Sequence, residues 1–148
     1  MKSNRYFQLF IPLASCFALS GCEATAAGIP YRDDQSISAG QVVYNNACAS
    51  CHGAALEGQP NWQKRSSMGY LPAPPHDETG HTWHHPDQML FEFTKYGPQK
   101  FAGADYKSAM PAYEGKLTDQ EIWNVLAFIK SQWPAEIQEK HTKAFSKK

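Results

Sequence analysis

The run Cys48-Ala49-Ser50-Cys51-His52 puts two thiols and an imidazole within five residues of this 148-residue chain. On a helix, positions three and four apart share a face, with roughly 5–6 Å between Cβ atoms. Cys48 and Cys51 can then each add a thiol to one vinyl group of a single haem. His52, four residues after Cys48, can offer an imidazole nitrogen to the iron, and C-x-x-C-H is the attachment signature for haem c. Rival chemistries fit less well. A thioredoxin-like pair needs a preceding strand in a βαβ setting, and neither is evident. A structural zinc site needs four ligands, and no second cysteine pair is at hand. A plain disulfide leaves His52 without a role.

The elements that must position these residues are helical. Ser38 with Gln41 makes a capping box for a helix leading into Cys48. Thr118-Asp119-Gln120-Glu121 makes another, with acidic residues where the helix dipole favours them. After it Ile122, Val125, Leu126, Ile129 and Trp133 recur at helical spacing, and Pro134 follows as a stop. A middle helix is predicted over residues 86–96, with Pro86 in its first turn, Leu90 and Phe93 on its apolar side and Gly97 at its end. No alternating strand pattern of useful length occurs, so the expected fold class is all-α. Residues 63–85, rich in Pro, Gly and His, fit no regular element. A loop that long in a compact domain implies a function, and an apolar cofactor would give it something to pack on.

From residue 38 to residue 133 the chain resembles the class I cytochromes c. In that family a glycine stands eight residues, and an aromatic four residues, before the first cysteine of the motif; Gly40 and Tyr44 occupy those places. Residues 125–129 look like the family's C-terminal helix, with Phe128 as the aromatic that meets Gly40 and Tyr44. Gly58-Gln59-Pro60-Asn61 resembles the proline-containing turn whose carbonyl accepts the hydrogen bond of the ligating histidine, at a shorter interval than in mitochondrial-type members. By that likeness Pro60 orients His52. Met110, in Ser108-Ala109-Met110-Pro111, looks like the axial methionine of bacterial members, ahead of Met68 and Met89. The resemblance implies three main helices around one covalently bound haem c, with iron between His52 and Met110. It implies a one-electron carrier rather than an enzyme, with redox proteins as partners. An electron-accepting subunit of a dehydrogenase or oxidase, or a ligand-binding haem sensor with a labile sixth position, are the alternatives.

Residues 1–21 read as a signal peptide. Lys2 and Arg5 precede an apolar run over residues 6–19, shorter than the ~20 residues that span a bilayer. The run ends in Leu19-Ser20-Gly21-Cys22, which resembles the lipobox of bacterial lipoproteins. Cys22 is therefore the expected lipidation site, residues 22–37 a lipidated tether, residues 38–133 the haem domain and residues 134–148 a polar tail. The expected location is outside the cytoplasm, lipid-anchored on the periplasmic or cell-surface side. A formal net charge of zero gives no reason to expect a nucleic-acid partner.

Four further histidines, His76, His81, His84 and His85, crowd one loop. Imidazoles suit copper or zinc, but no cysteine or carboxylate geometry completes a site. A haem-edge loop, in which one histidine or Trp83 bonds a propionate, is the simpler expectation.

Overall fold

The computed structural model describes residues 28–103 and 105–145; the expected signal peptide and Cys22 lie outside the described residues. Within them the fold is all-α: α1 (Asp34–Ala47), α2 (Ala49–His52), a 3-10 turn (Thr82–His84), α3 (Asp87–Tyr96), α4 (Gln99–Ala102), α5 (Asp119–Ser131) and α6 (Ala135–Phe145). Among the described residues no helix is long and apolar enough to cross a membrane.

The crossing of α1 on α5 builds the scaffold. A Cβ at Gly40 would collide with the backbone oxygen of Asn124, so only glycine permits this approach. One turn later Tyr44 is fully buried, its ring 5.3 Å from that of Phe128 and its hydroxyl donating to the Gly53 carbonyl at 2.8 Å. Phe128 thus meets Tyr44, whereas Gly40 meets α5 backbone. The capping box at Thr118 forms as the sequence predicts, with Glu121 bonded back to the Thr118 amide at 2.8 Å. α3 also lies where expected, with Pro86 capping it and Gly97 ending it at φ +80.

The start of α1 differs from expectation. Asp33 caps the helix, its carboxylate accepting from the Ser36 amide at 2.8 Å. Ser38 lies inside the helix and bonds the Asp34 carbonyl one turn back, at 2.8 Å. An aspartate cap followed by Asp34 in the first turn satisfies the free amides and the helix dipole earlier than Ser38 could. The preceding chain belongs to the domain too. Ile29 is buried in a cluster with Leu90, Phe91, Ile122 and Leu126, and its amide donates to Asp87 Oδ2 at 2.9 Å. The segment expected as a tether is therefore packed from Ile29 onward.

The polar tail expected after Pro134 is instead a helix that docks. The side-chain amide of Gln138 donates to the carbonyls of Lys130, Ser131 and Trp133 at 3.1, 3.1 and 2.9 Å. Those carbonyls lie at the C-terminal end of α5, where intrahelical partners run out. His141 is buried, its ring edge-on to Trp133 at 5.2 Å, and its Nε2 donates to the His85 carbonyl at 2.9 Å. Asp87 Oδ1 lies 3.6 Å from His141 Nε2 and 3.7 Å from Lys130 Nζ. Burial pushes the pKa values of Lys130 and His141 down, and the Asp87 carboxylate opposes this in both. The group joins the N-terminal segment, α3, α5 and α6 at one point.

Candidate functional site

Cys48 closes α1 with its amide bonded to the Tyr44 carbonyl at 2.9 Å. The amides of Cys51 and His52 both return to the Cys48 carbonyl, at 3.1 and 3.0 Å. One helical turn therefore carries both thiols and the imidazole, as the spacing predicts, and Gly53 ends it at φ +83, where a side chain would be strained. Both thiols are free, that of Cys48 half-buried and that of Cys51 exposed. Burial, with Cys51 adding to it, pushes the Cys48 thiol up to about 11.

His52 is buried, and its Nδ1 donates to a carbonyl at 2.8 Å. The acceptor is Pro74, not Pro60. The chain after α2 bends back at Gly58, whose amide bonds the His52 carbonyl at 2.8 Å. Gln59 then pairs with Ala73 through its amide at 2.9 Å and its side-chain oxygen at 3.0 Å. This pairing brings the Pro74 carbonyl beneath the imidazole and leaves Pro60 exposed. A carbonyl only accepts, so the proton sits on Nδ1 and the lone pair on Nε2. Burial lowers the pKa of His52, the Pro74 bond opposing, which keeps the ring neutral as a metal ligand must be.

Cys48, Cys51, His52 and Met110 all line one cavity of about 400 Å³. Leu90 and Phe93 of α3 and Val125, Leu126 and Ile129 of α5 give it apolar walls. Met68 and Met89 are not among its lining residues; Met68 is 69% exposed and Met89 39%. The segment bearing Met110 is tied to the scaffold just beyond it. The Tyr113 amide donates to the Lys95 carbonyl at 3.0 Å, and its hydroxyl donates to Ala47, the residue before Cys48. Burial, with both cysteines adding to it, raises the Tyr113 pKa, so this donor keeps its proton. On the other side, Lys107 Nζ bonds the Met68 carbonyl at 3.1 Å and Arg65 lies over the Tyr106 ring. These contacts clasp the two loops beside the cavity.

The histidine loop divides. His76, His81 and His85 line the cavity, whereas His84 stacks outside on Trp83 at 3.7 Å. Among the described residues no group of three or more histidines, cysteines or carboxylates could hold a separate metal ion. His81 lies parallel to Trp62 at 5.3 Å, and burial lowers the pKa values of both His81 and His85. The Trp83 indole donates to the Glu78 carbonyl at 3.3 Å. Sequence reasoning singled out neither Pro74 nor Tyr113. The short interval from His52 to Pro60 was the one signal that a later proline serves His52.

An apolar cavity walled by helices, with two free thiols, a carbonyl-oriented imidazole and a thioether on its lining, fits a covalently attached haem. A family model described as Cytochrome c matches residues 37–133. The chain belongs to the cytochrome c family and is a haem-binding electron-transfer protein whose cofactor is covalent haem c with its iron. Neither the curated proteins nor the solved structures contain a match.

Proposed function

We propose that this cytochrome is a one-electron shuttle in which Cys48 and Cys51 bind the haem and His52 and Met110 are its two axial ligands. The observation carrying this reading is that both cysteines, His52 and Met110 line the same apolar cavity. When bound, haem c supplies one-electron iron chemistry; the chain's own residues set its conditions. The two cysteines tether the cofactor. His52 presents Nε2 because Pro74 holds the proton on Nδ1. Met110, on the lining of the same cavity, would supply the second ligand to the iron and leave no position for substrate, and a thioether sulfur there would favour the reduced state relative to a second imidazole. The apolar faces of α3 and α5 exclude water and disfavour the extra positive charge of the oxidised state.

Ferric protein should show the weak near-infrared band of sulfur ligation, and ferrous protein should bind carbon monoxide poorly at neutral pH. Met110→Ala should abolish that band, lower the reduction potential and open the iron to carbon monoxide. Met68→Leu and Met89→Leu should change none of these, because both side chains are exposed. Rapid carbon monoxide binding by the unmutated protein would instead identify a ligand-binding sensor.

The chain is proposed to be exported and anchored through lipid on Cys22. More than one acyl chain gives stable attachment where a single one is marginal. The packed domain begins at Ile29, so a lipid on Cys22 would hold the haem domain within a few residues of the membrane. Cys22→Ser should move the protein from the membrane pellet to the soluble fraction; persistence in the pellet rules out the lipid anchor.

A further inference from the structure

The His52 imidazole does not rest on the Pro74 bond alone. The ring of His76 lies against it with centroids 4.0 Å apart and planes inclined by 20°. A hydrogen bond fixes the direction of one N–H vector but resists poorly a tilt of the ring about that vector. A second ring packed face to face blocks that tilt on its own side.

His76 is itself fastened through its ring, its amide and its carbonyl. Its Nδ1 bonds Thr82 Oγ1 at 2.8 Å, and the Thr82 hydroxyl reaches toward the Pro75 carbonyl at 3.5 Å. Its amide donates to the Leu56 carbonyl at 2.8 Å, and its carbonyl accepts from the Trp133 indole at 2.8 Å. The Tyr44 ring stands edge-on at 6.5 Å. Leu56 follows the haem-binding turn, Trp133 follows α5 and Tyr44 belongs to α1, so His76 is fastened to the scaffold although it sits in a loop. Burial, with His52 and His81 adding to it, keeps its pKa well below the usual histidine range.

We propose that His76 is a positioning residue that sets the plane of the His52 imidazole. This rests on the reading of His52 as an axial ligand. The plane of an axial imidazole, together with the orientation of a thioether opposite it, would govern how unpaired spin spreads over a ferric haem. It is read by the largest g value in frozen-solution electron paramagnetic resonance and by the spacing of the haem methyl resonances.

The test compares ferric holoprotein carrying His76→Ala, His76→Phe and Thr82→Val with the unmutated protein. His76→Ala should shift the largest g value and rearrange the haem methyl pattern, while the near-infrared sulfur band persists. His76→Phe restores a flat ring and should return the pattern close to that of the unmutated protein. Thr82→Val keeps the imidazole but frees its Nδ1, and should give a smaller displacement in the direction of His76→Ala. It supplies the answer if the alanine variant fails to assemble. An unchanged methyl pattern in a folded His76→Ala or, failing that, in Thr82→Val overturns the proposal, as does equal disturbance by alanine and phenylalanine. If the unmutated protein lacks the resonances of a haem-bound histidine, the reading of His52 falls and takes this proposal with it. If those resonances are present and indifferent to position 76, only the proposal falls.

Discussion

Acid-acetone treatment of the mature protein should leave all of its haem with the polypeptide, and Cys48→Ala/Cys51→Ala should release all of it. This is the largest effect expected of any substitution here, because it exchanges covalent bonds for non-covalent ones. The helical turn carries both thiols toward the cavity, so each single variant should retain one thioether and a reduced yield of holoprotein. The loss should extend to folding. Haem tethered at these cysteines would fill the cavity bounded by Leu90, Phe93, Val125, Leu126 and Ile129, and without it those side chains would lack a packing partner on one side. The double variant should therefore unfold at a lower temperature even when haem is supplied in solution. Release of haem from the unmutated protein by acid-acetone would overturn the thioether assignment.

Gly40→Ala should destabilise the oxidised holoprotein by about 2–3 kcal/mol, although alanine is the better helix former by about 1 kcal/mol. The two effects oppose each other, and the site decides between them. The added Cβ would meet the backbone oxygen of Asn124 rather than a side-chain tip that could swing away. Relief requires α1 and α5 to separate, and that disturbs the contact of Tyr44 with Phe128 one turn further on. At roughly 4 °C per kcal/mol for a domain of this size, the unfolding midpoint should fall by about 8–12 °C. Haem retention should be unaffected, since both cysteines remain. A midpoint that rises or stays put would mean that the helices do not cross at this distance, and that propensity alone governs position 40.

Much of this molecule is legible in short stretches of its chain. Thr118 and Glu121 cap α5 because both partners lie within one helical turn. Pro86 and Gly97 bound α3 for equally local reasons, a fixed φ at one end and a left-handed φ at the other. The relation of Cys48, Cys51 and His52 is also local, since a single turn sets it. Gly40 and Tyr44 are legible through the family resemblance, which reads a gap and a ring one turn apart on one face as the seat of a crossing helix. Local signals mislead where two compete, as Asp33 and Ser38 do for the start of α1.

What the sequence leaves open are contacts between residues far apart in it. Several prolines follow His52, and which carbonyl reaches its Nδ1 depends on how the intervening loop closes; the pairing of Gln59 with Ala73 selects Pro74. Helix α6 carries mostly polar side chains, and the signal in it that the reading as a tail overlooks is the stripe Ile137, His141 and Phe145 at four-residue spacing. Its place depends on Gln138 finding the unpaired carbonyls of α5 and on His141 finding His85. The ring of His76 against His52 and the hydroxyl of Tyr113 on Ala47 are of the same kind. A helix turn or a cap is decided by neighbours within a few residues. The orientation of the His52 ring is decided by groups that meet only after the chain has folded.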